Sequence, residues 1–240
     1  MHLDTETSTW ILRFDNPPVN AFSPSQFDAA FSFLERAETD QDCNALVISG
    51  ANGVFSAGVD IRVLPTLDAD GLRRLVRNIN LLTLLIYAFP KPVVCAVEGH
   101  CVGLGAVILA ASDFRVTARG NYRIGLNELD AGLPFPACAA EAVLSSLSPA
   151  AARRLCLGAQ LYPPEHPLLS ELIDQILAPE EVLAHAIELA GERGAQPIYA
   201  DIKLQLRGST IARMHEIIEH DADPLLQVAE EAIARIRARH

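Results

Sequence analysis

The sequence predicts an α/β fold that gives way to helices toward its C-terminal end, and three observations predict it. Short, uninterrupted apolar runs such as Ala45-Leu46-Val47-Ile48-Ser49 and Val93-Val94-Cys95-Ala96-Val97 read as strands covered on both faces. The longer stretches between such runs repeat their apolar residues at helical intervals. Beyond Pro136 helical spacing takes over, with breaks near Pro149, the 163–167 segment, Pro179, Pro197 and Pro224.

Taken in order, Trp10-Ile11-Leu12-Arg13-Phe14 alternates as a strand and ends at a turn through Asn16-Pro17-Pro18. Ser23-Pro24-Ser25-Gln26 has the makings of a helix start: Ser as N-cap, Pro at the first helical position and Gln at the capping-box position. Phe27, Ala30, Phe31 and Leu34 give that helix an apolar face. After the strand at 45–49, a loop runs from Gly50 to about Pro65. A long helix follows from Asp70 to Tyr87, stopped by Phe89-Pro90. The strand at 93–97 leads to a second glycine turn and to an almost wholly apolar helix, Leu104 to Ala111. Phe114-Arg115-Val116-Thr117 and Tyr122-Arg123-Ile124 read as two strands joined by a Gly120-Asn121 turn.

At 240 residues the chain is long enough for one large domain or one domain with a small appendage. A formal charge of −11 argues against nucleic acid, whose binding is built on Lys and Arg contacts to phosphate. Five cysteines (Cys43, Cys95, Cys101, Cys138, Cys156) show no metal spacing and are expected to be reduced and buried. Residues 1–6 carry neither a basic nor an apolar signal region, and the apolar run from Cys101 to Ala111 is too short to span a bilayer. A soluble, cytoplasmic protein without a membrane partner is expected.

The chemistry lies in three short segments. Phe55-Ser56-Ala57-Gly58-Val59-Asp60-Ile61 and Gly99-His100-Cys101-Val102-Gly103-Leu104-Gly105 each place a glycine turn where a backbone N–H can be aimed into a pocket. Two such groups converging on one point make an oxyanion hole. Ile124-Gly125-Leu126-Asn127-Glu128-Leu129 then supplies one carboxylate. Gly103-Leu104-Gly105 lacks the third glycine and acidic partner of a dinucleotide fingerprint.

In this order, and with Lys91-Pro92-Val93-Val94-Cys95-Ala96-Val97-Glu98-Gly99, the chain resembles the crotonase (enoyl-CoA hydratase/isomerase) superfamily from about Trp10 to Ile176. The wording Gly125-Leu126-Asn127-Glu128 is most similar to mitochondrial-type Δ3,Δ2-enoyl-CoA isomerases. The resemblance implies a spiral of β-β-α repeats over residues 1–180 and a helical region over 181–240 that packs on its own or a neighbouring subunit. It also implies a homotrimer or hexamer, and an acyl-CoA whose coenzyme A is part of the substrate, with no further cofactor and no metal. By motif position the oxyanion donors fall on Val59 and Leu104, and the catalytic base on Glu128. Ala57, Asp60, Ile61, Gly103, Gly105, Asn127, Leu133 and Phe135 are the expected substrate-binding residues, with Leu64, Leu67, Leu75 and Ile79 as further candidates for the acyl pocket.

Hydratases of the family use two glutamates, and the position of the first holds Val107 in this chain. One carboxylate in an apolar pocket suits movement of a proton from C2 to C4 of a 3-enoyl thioester, which needs a single base that later acts as acid. Asp130 is the nearest stand-in for a second acid and keeps hydration open. Thioester hydrolysis and a silent acyl-CoA-binding subunit stay open beside it. The segment 162–171 lacks the family's alanine and glycine, which favours the silent subunit. Asp60 reads as a helix N-cap, Asp113 as a structural turn residue, and His100 as a partly buried, hydrogen-bonded histidine. With only Lys91 and Lys203 as lysines, CoA phosphates would fall to Lys203 or to Arg62, Arg73, Arg74, Arg77 and the Arg235/Arg237/Arg239 run.

Overall fold

The apolar runs become the inner strands of one sheet, and the segments between them wind back to it. The computed structural model describes residues 1–5, 7–60, 62–132 and 134–239. Along the chain come β1 (His2–Asp4), β2 (Thr9–Phe14), α1 (Pro24–Thr39), β3 (Ala45–Gly50), β4 (Val54–Ser56) and α2 (Ala69–Tyr87). Then follow β5 (Val93–Val97), β6 (His100–Val102), α3 (Leu104–Ala111), β7 (Phe114–Ala118), β8 (Ile124–Gly125) and α4 (Glu128–Ala131). The remainder is α5 (Ala137–Ser146), α6 (Pro149–Gly158), β9 (Gln175–Leu177), α7 (Pro179–Gly194), α8 (Tyr199–Glu219), α9 (Pro224–Gln227) and α10 (Ala229–Arg239).

The larger sheet has the order β1-β2-β3-β5-β7-β9, parallel except for β1 against β2; the smaller has the parallel order β4-β6-β8. Each of β3–β4, β5–β6 and β7–β8 sends its first strand to the large sheet and its second to the small one before a helix returns the chain. That is a spiral of β-β-α units. All five residues of β5 are buried, as a continuous apolar run inside a covered parallel sheet requires, and all eight of α3 are buried as well. One face of the large sheet is covered by α7, which packs across β2, β3, β5 and β7.

Several local expectations change. The 114–124 region is not a hairpin: β7 joins β5 and β9 in the large sheet, whereas β8 joins β6 in the small one. Alternation marks both segments as strands but says nothing of their partners. Pro24 does begin α1, yet no capping box forms, because Ser23 Oγ pairs with Ser25 Oγ and caps no N–H. The cap of α2 is Asp68, whose carboxylate accepts from Gly71 N–H at 2.7 Å, and not Asp60. Pro149, Pro179 and Pro224 start helices, since a first-turn residue needs no N–H acceptor of its own.

A buried ionic cluster ties α8 to the spiral. Asp113 receives Lys203 Nζ at 2.8 Å, Arg207 Nη1 at 3.1 Å and the Val93 N–H at 2.8 Å. Arg207 also donates to the carbonyls of Tyr87, Ala111 and Ser112, at the C-terminal ends of α2 and α3. Asp113 is structural, as expected. Lys203 is not available to phosphate: it is buried against Asp113, and burial pushes its amine down to about 8. Lys203→Met leaves Asp113 with one cation instead of two. It is expected to cost about 3 kcal/mol in urea unfolding, the lower end for a broken buried pair.

Candidate active site

Two glycine turns meet at the edge of the small sheet. Gly58 adopts φ +83°, its N–H bonded to Ser56 Oγ at 3.0 Å, and Ser56 Oγ in turn donates to Asn20 O. Phe22 N–H donates to Gly58 O and Asp60 N–H to Phe22 O. A parallel bridge of this kind uses the residues either side of Val59, so the N–H of Val59 itself is turned away from Phe22. Gly103, at φ +56°, precedes the first residue of α3. The Leu104 N–H therefore belongs to the helix's first turn, where no intrahelical acceptor exists and the dipole favours negative charge. The turns are in contact: a Cβ on Gly58 would stand 2.9 Å from both Leu104 N and Val102 O.

A carboxylate stands over them. A Cβ on Gly103 would lie 3.6 Å from Asn127 Oδ1 and 3.7 Å from Glu128 Oε1. Glu128 is the first residue of α4, and its Oε2 is buried with no hydrogen-bond partner among the described residues. Burial pushes its carboxyl up to about 7, against a small opposing pull from its own N–H. Asp60 lines the same space but is clamped by Arg62, at 2.8 and 2.7 Å, which holds its carboxyl below the usual range. Val107 lines the space as well and brings no carboxylate.

These groups border a cavity of about 460 Å³. Ala57, Val59, Asp60, Gly103, Leu104, Asn127 and Glu128 all line it, and so do Leu75 and Ile79. Ile61 and Leu133 lie outside the described residues. Gly105 is buried beneath the site, where a Cβ would meet Ser56 O at 2.7 Å; it lets α3 close onto β4. Phe135 packs half-buried on the main core, and its neighbours Pro134 and Pro136 line the cavity instead. Leu64 and Leu67 pack in a smaller cluster that supplies part of the wall, but they do not line the cavity themselves.

Asp130 is exposed and is not among the residues that line the cavity. His100 is exposed, contrary to expectation, with Nδ1 accepting from Arg123 N–H at 3.3 Å. Burial pushes the Cys138 thiol up to about 12 and Cys156 to about 11.

Among the candidate arginines whose side chains are described, Arg62 alone reaches the lining. Arg73 donates to Leu226 O and pairs with Asp70, Arg77 pairs with Asp221, and Arg237 donates to Pro65 O and Leu67 O. These three fasten the C-terminal segment to α2 and the turn before it. Leu225 and Ala232 from that segment, and Pro18 and Val19 from the loop before α1, also line the cavity. No local pattern marks these four, because their role depends on long-range packing.

A family model described as enoyl-CoA hydratase/isomerase matches residues 4–232. Human mitochondrial enoyl-CoA delta isomerase 1 is 27% identical over 224 residues, 92% of this chain and 74% of the human protein. Among solved structures, a probable enoyl-CoA hydratase of Mycobacterium tuberculosis H37Rv superposes with a TM-score of 0.86 at 30% identity, covering 96% of this chain and 97% of that one. A second, apo structure of that same M. tuberculosis protein, named there as an enoyl-CoA isomerase, gives a TM-score of 0.80 at 28% identity, covering 98% and 97%. Relatives named for hydration and for isomerisation stand at similar distances from this chain.

Proposed function

Because the chain belongs to the enoyl-CoA hydratase/isomerase family, we propose that it shifts the double bond of a 3-enoyl-CoA to the 2-position, with Glu128 as its single proton carrier. The thioester carbonyl oxygen accepts from the N–H groups of Val59 and Leu104. Glu128 takes a proton from C2, the electron pair spreads over the dienolate, and Glu128 returns the proton to C4. Atoms and charge balance without a cofactor, and coenzyme A leaves as part of the product.

The observation that carries this reading is that, among the described lining residues, Glu128 is the one carboxylate without a cation beside it. Asp60 is held by Arg62, and Val107 occupies the place of the other glutamate that adding water would need. The exposed apolar residues Leu129, Leu144 and Leu157, on the packed helices α4, α5 and α6, suit the homotrimer or hexamer that belongs to the same proposal; light scattering tests it.

The deciding experiment offers purified protein a 3-enoyl-CoA and, separately, crotonyl-CoA. Conjugation of the first with little hydration of the second is the expected result. Hydration at a comparable rate would sink the single-carboxylate mechanism. Binding of both without turnover would point to a silent acyl-CoA-binding subunit.

A pH profile gives a second check. The proposed base must be ionised to take the C2 proton, and its carboxyl is pushed up to about 7. The value of kcat/KM is therefore expected to be full above that pH and to fall about tenfold per unit well below it. A profile flat down to about pH 5, well under the range of so raised a carboxyl, would exclude Glu128 as the base.

A further inference from the structure

The cavity lies on a seam between two hydrophobic clusters. Leu104, Val107 and Ile79 belong to the main core, whereas Leu72, Val76, Leu225 and Ala232 belong to the smaller cluster. The smaller cluster joins α2 to α9 and α10, so one wall of the cavity is carried by the C-terminal segment and not by the spiral.

That segment has a firm root. Asp223 is buried, and its carboxylate accepts from Asn80 Nδ2 at 2.8 Å, Ala137 N–H at 2.6 Å and Leu225 N–H at 2.8 Å. It is held further along by Arg237, whose bonds to Pro65 O and Leu67 O are exposed. Ala232 stands between root and latch, 5% exposed, with only a methyl group to set against the cavity.

On the reading that the cavity takes an acyl thioester, we propose that Ala232 sets the length of acyl chain the site accepts. The glycine turns and Glu128 are on the spiral, so the proton transfer and the measurement of chain length reside in different parts of the molecule. A larger side chain at 232 extends into the apolar space and displaces the distal methylenes of a long chain, while a short chain ends before reaching it.

The test compares Ala232→Phe with the parent protein on 3-hexenoyl-CoA and 3-dodecenoyl-CoA. The variant is expected to lose at least about tenfold in kcat/KM on the longer substrate, the effect of displaced methylenes in an apolar pocket, and to keep its rate on the shorter. Equal losses on both, or none on either, would overturn the proposal. Calorimetric binding of hexanoyl-CoA and dodecanoyl-CoA repeats the comparison without turnover. A length-selective loss of binding in a protein that isomerises neither substrate would keep the proposal and reject the isomerase reading. Leu225→Ala enlarges the same wall and is read if Ala232→Phe does not fold. It is expected to shift preference toward the longer chain, and an unchanged preference would overturn the proposal.

Discussion

Glu128→Gln is expected to lower isomerisation by at least about 10³-fold, within the range for loss of a positioned acid–base group. Glutamine keeps the shape of the side chain but can neither accept the C2 proton nor return one to C4. The residual rate should lose its dependence on pH near 7, where the carboxyl titrates. Stability should move the other way. The folded carboxyl is pushed up to about 7, above the ordinary 4.5, so the native state holds a proton that the unfolded chain releases between those values. Stability therefore falls as pH rises through that window, and ionised Glu128 is a burden above it. Glu128→Gln is expected to raise stability by about 1–3 kcal/mol at about pH 8 and by much less at about pH 4, measured by urea unfolding. Undiminished turnover in the variant would remove the mechanism.

Gly58→Ala is expected to cost about 10²–10³-fold in kcat, the usual effect of losing a donor to an oxyanion. The added Cβ meets Leu104 N and Val102 O at 2.9 Å. Both are backbone atoms, so no side chain can swing aside. The two turns must separate, and their N–H groups then no longer converge. Gly53→Ala is the control: Gly53 also has a positive φ, of +71°, but a Cβ there meets nothing within 4 Å. It should strain the backbone and leave the rate alone. If both variants lose activity equally, strain and not the contact between turns is responsible.

What is legible in the sequence is local. The strand at 93–97 and the helix at 104–111 follow from neighbouring residues, whereas the two glycine turns and Glu128 stand out only as an ordered set. The order of those turns along the chain carries the likeness to the family. Partnership between distant segments is not legible. Tyr122-Arg123-Ile124 reads as the second half of a hairpin because alternation marks a strand without naming its neighbour. Lys203 reads as a surface cation because nothing nearby reveals that Asp113 lies against it. Leu225 and Ala232 resemble any apolar helix positions, and only the packing of α9 and α10 on α2 brings them to the cavity.

The carboxylate of Asp223 bonds at once to the first N–H of α5 and to the second residue of α9. This has a consequence for biosynthesis. The spiral and both glycine turns leave the ribosome well before residue 223, and domains settle from the N-terminal side as they emerge. Until Asp223 arrives, the Ala137 N–H lacks that acceptor and the cavity lacks its Leu225 and Ala232 wall. Maturation of the binding site thus waits for residues 223–232 to emerge and is not finished when the sheets are.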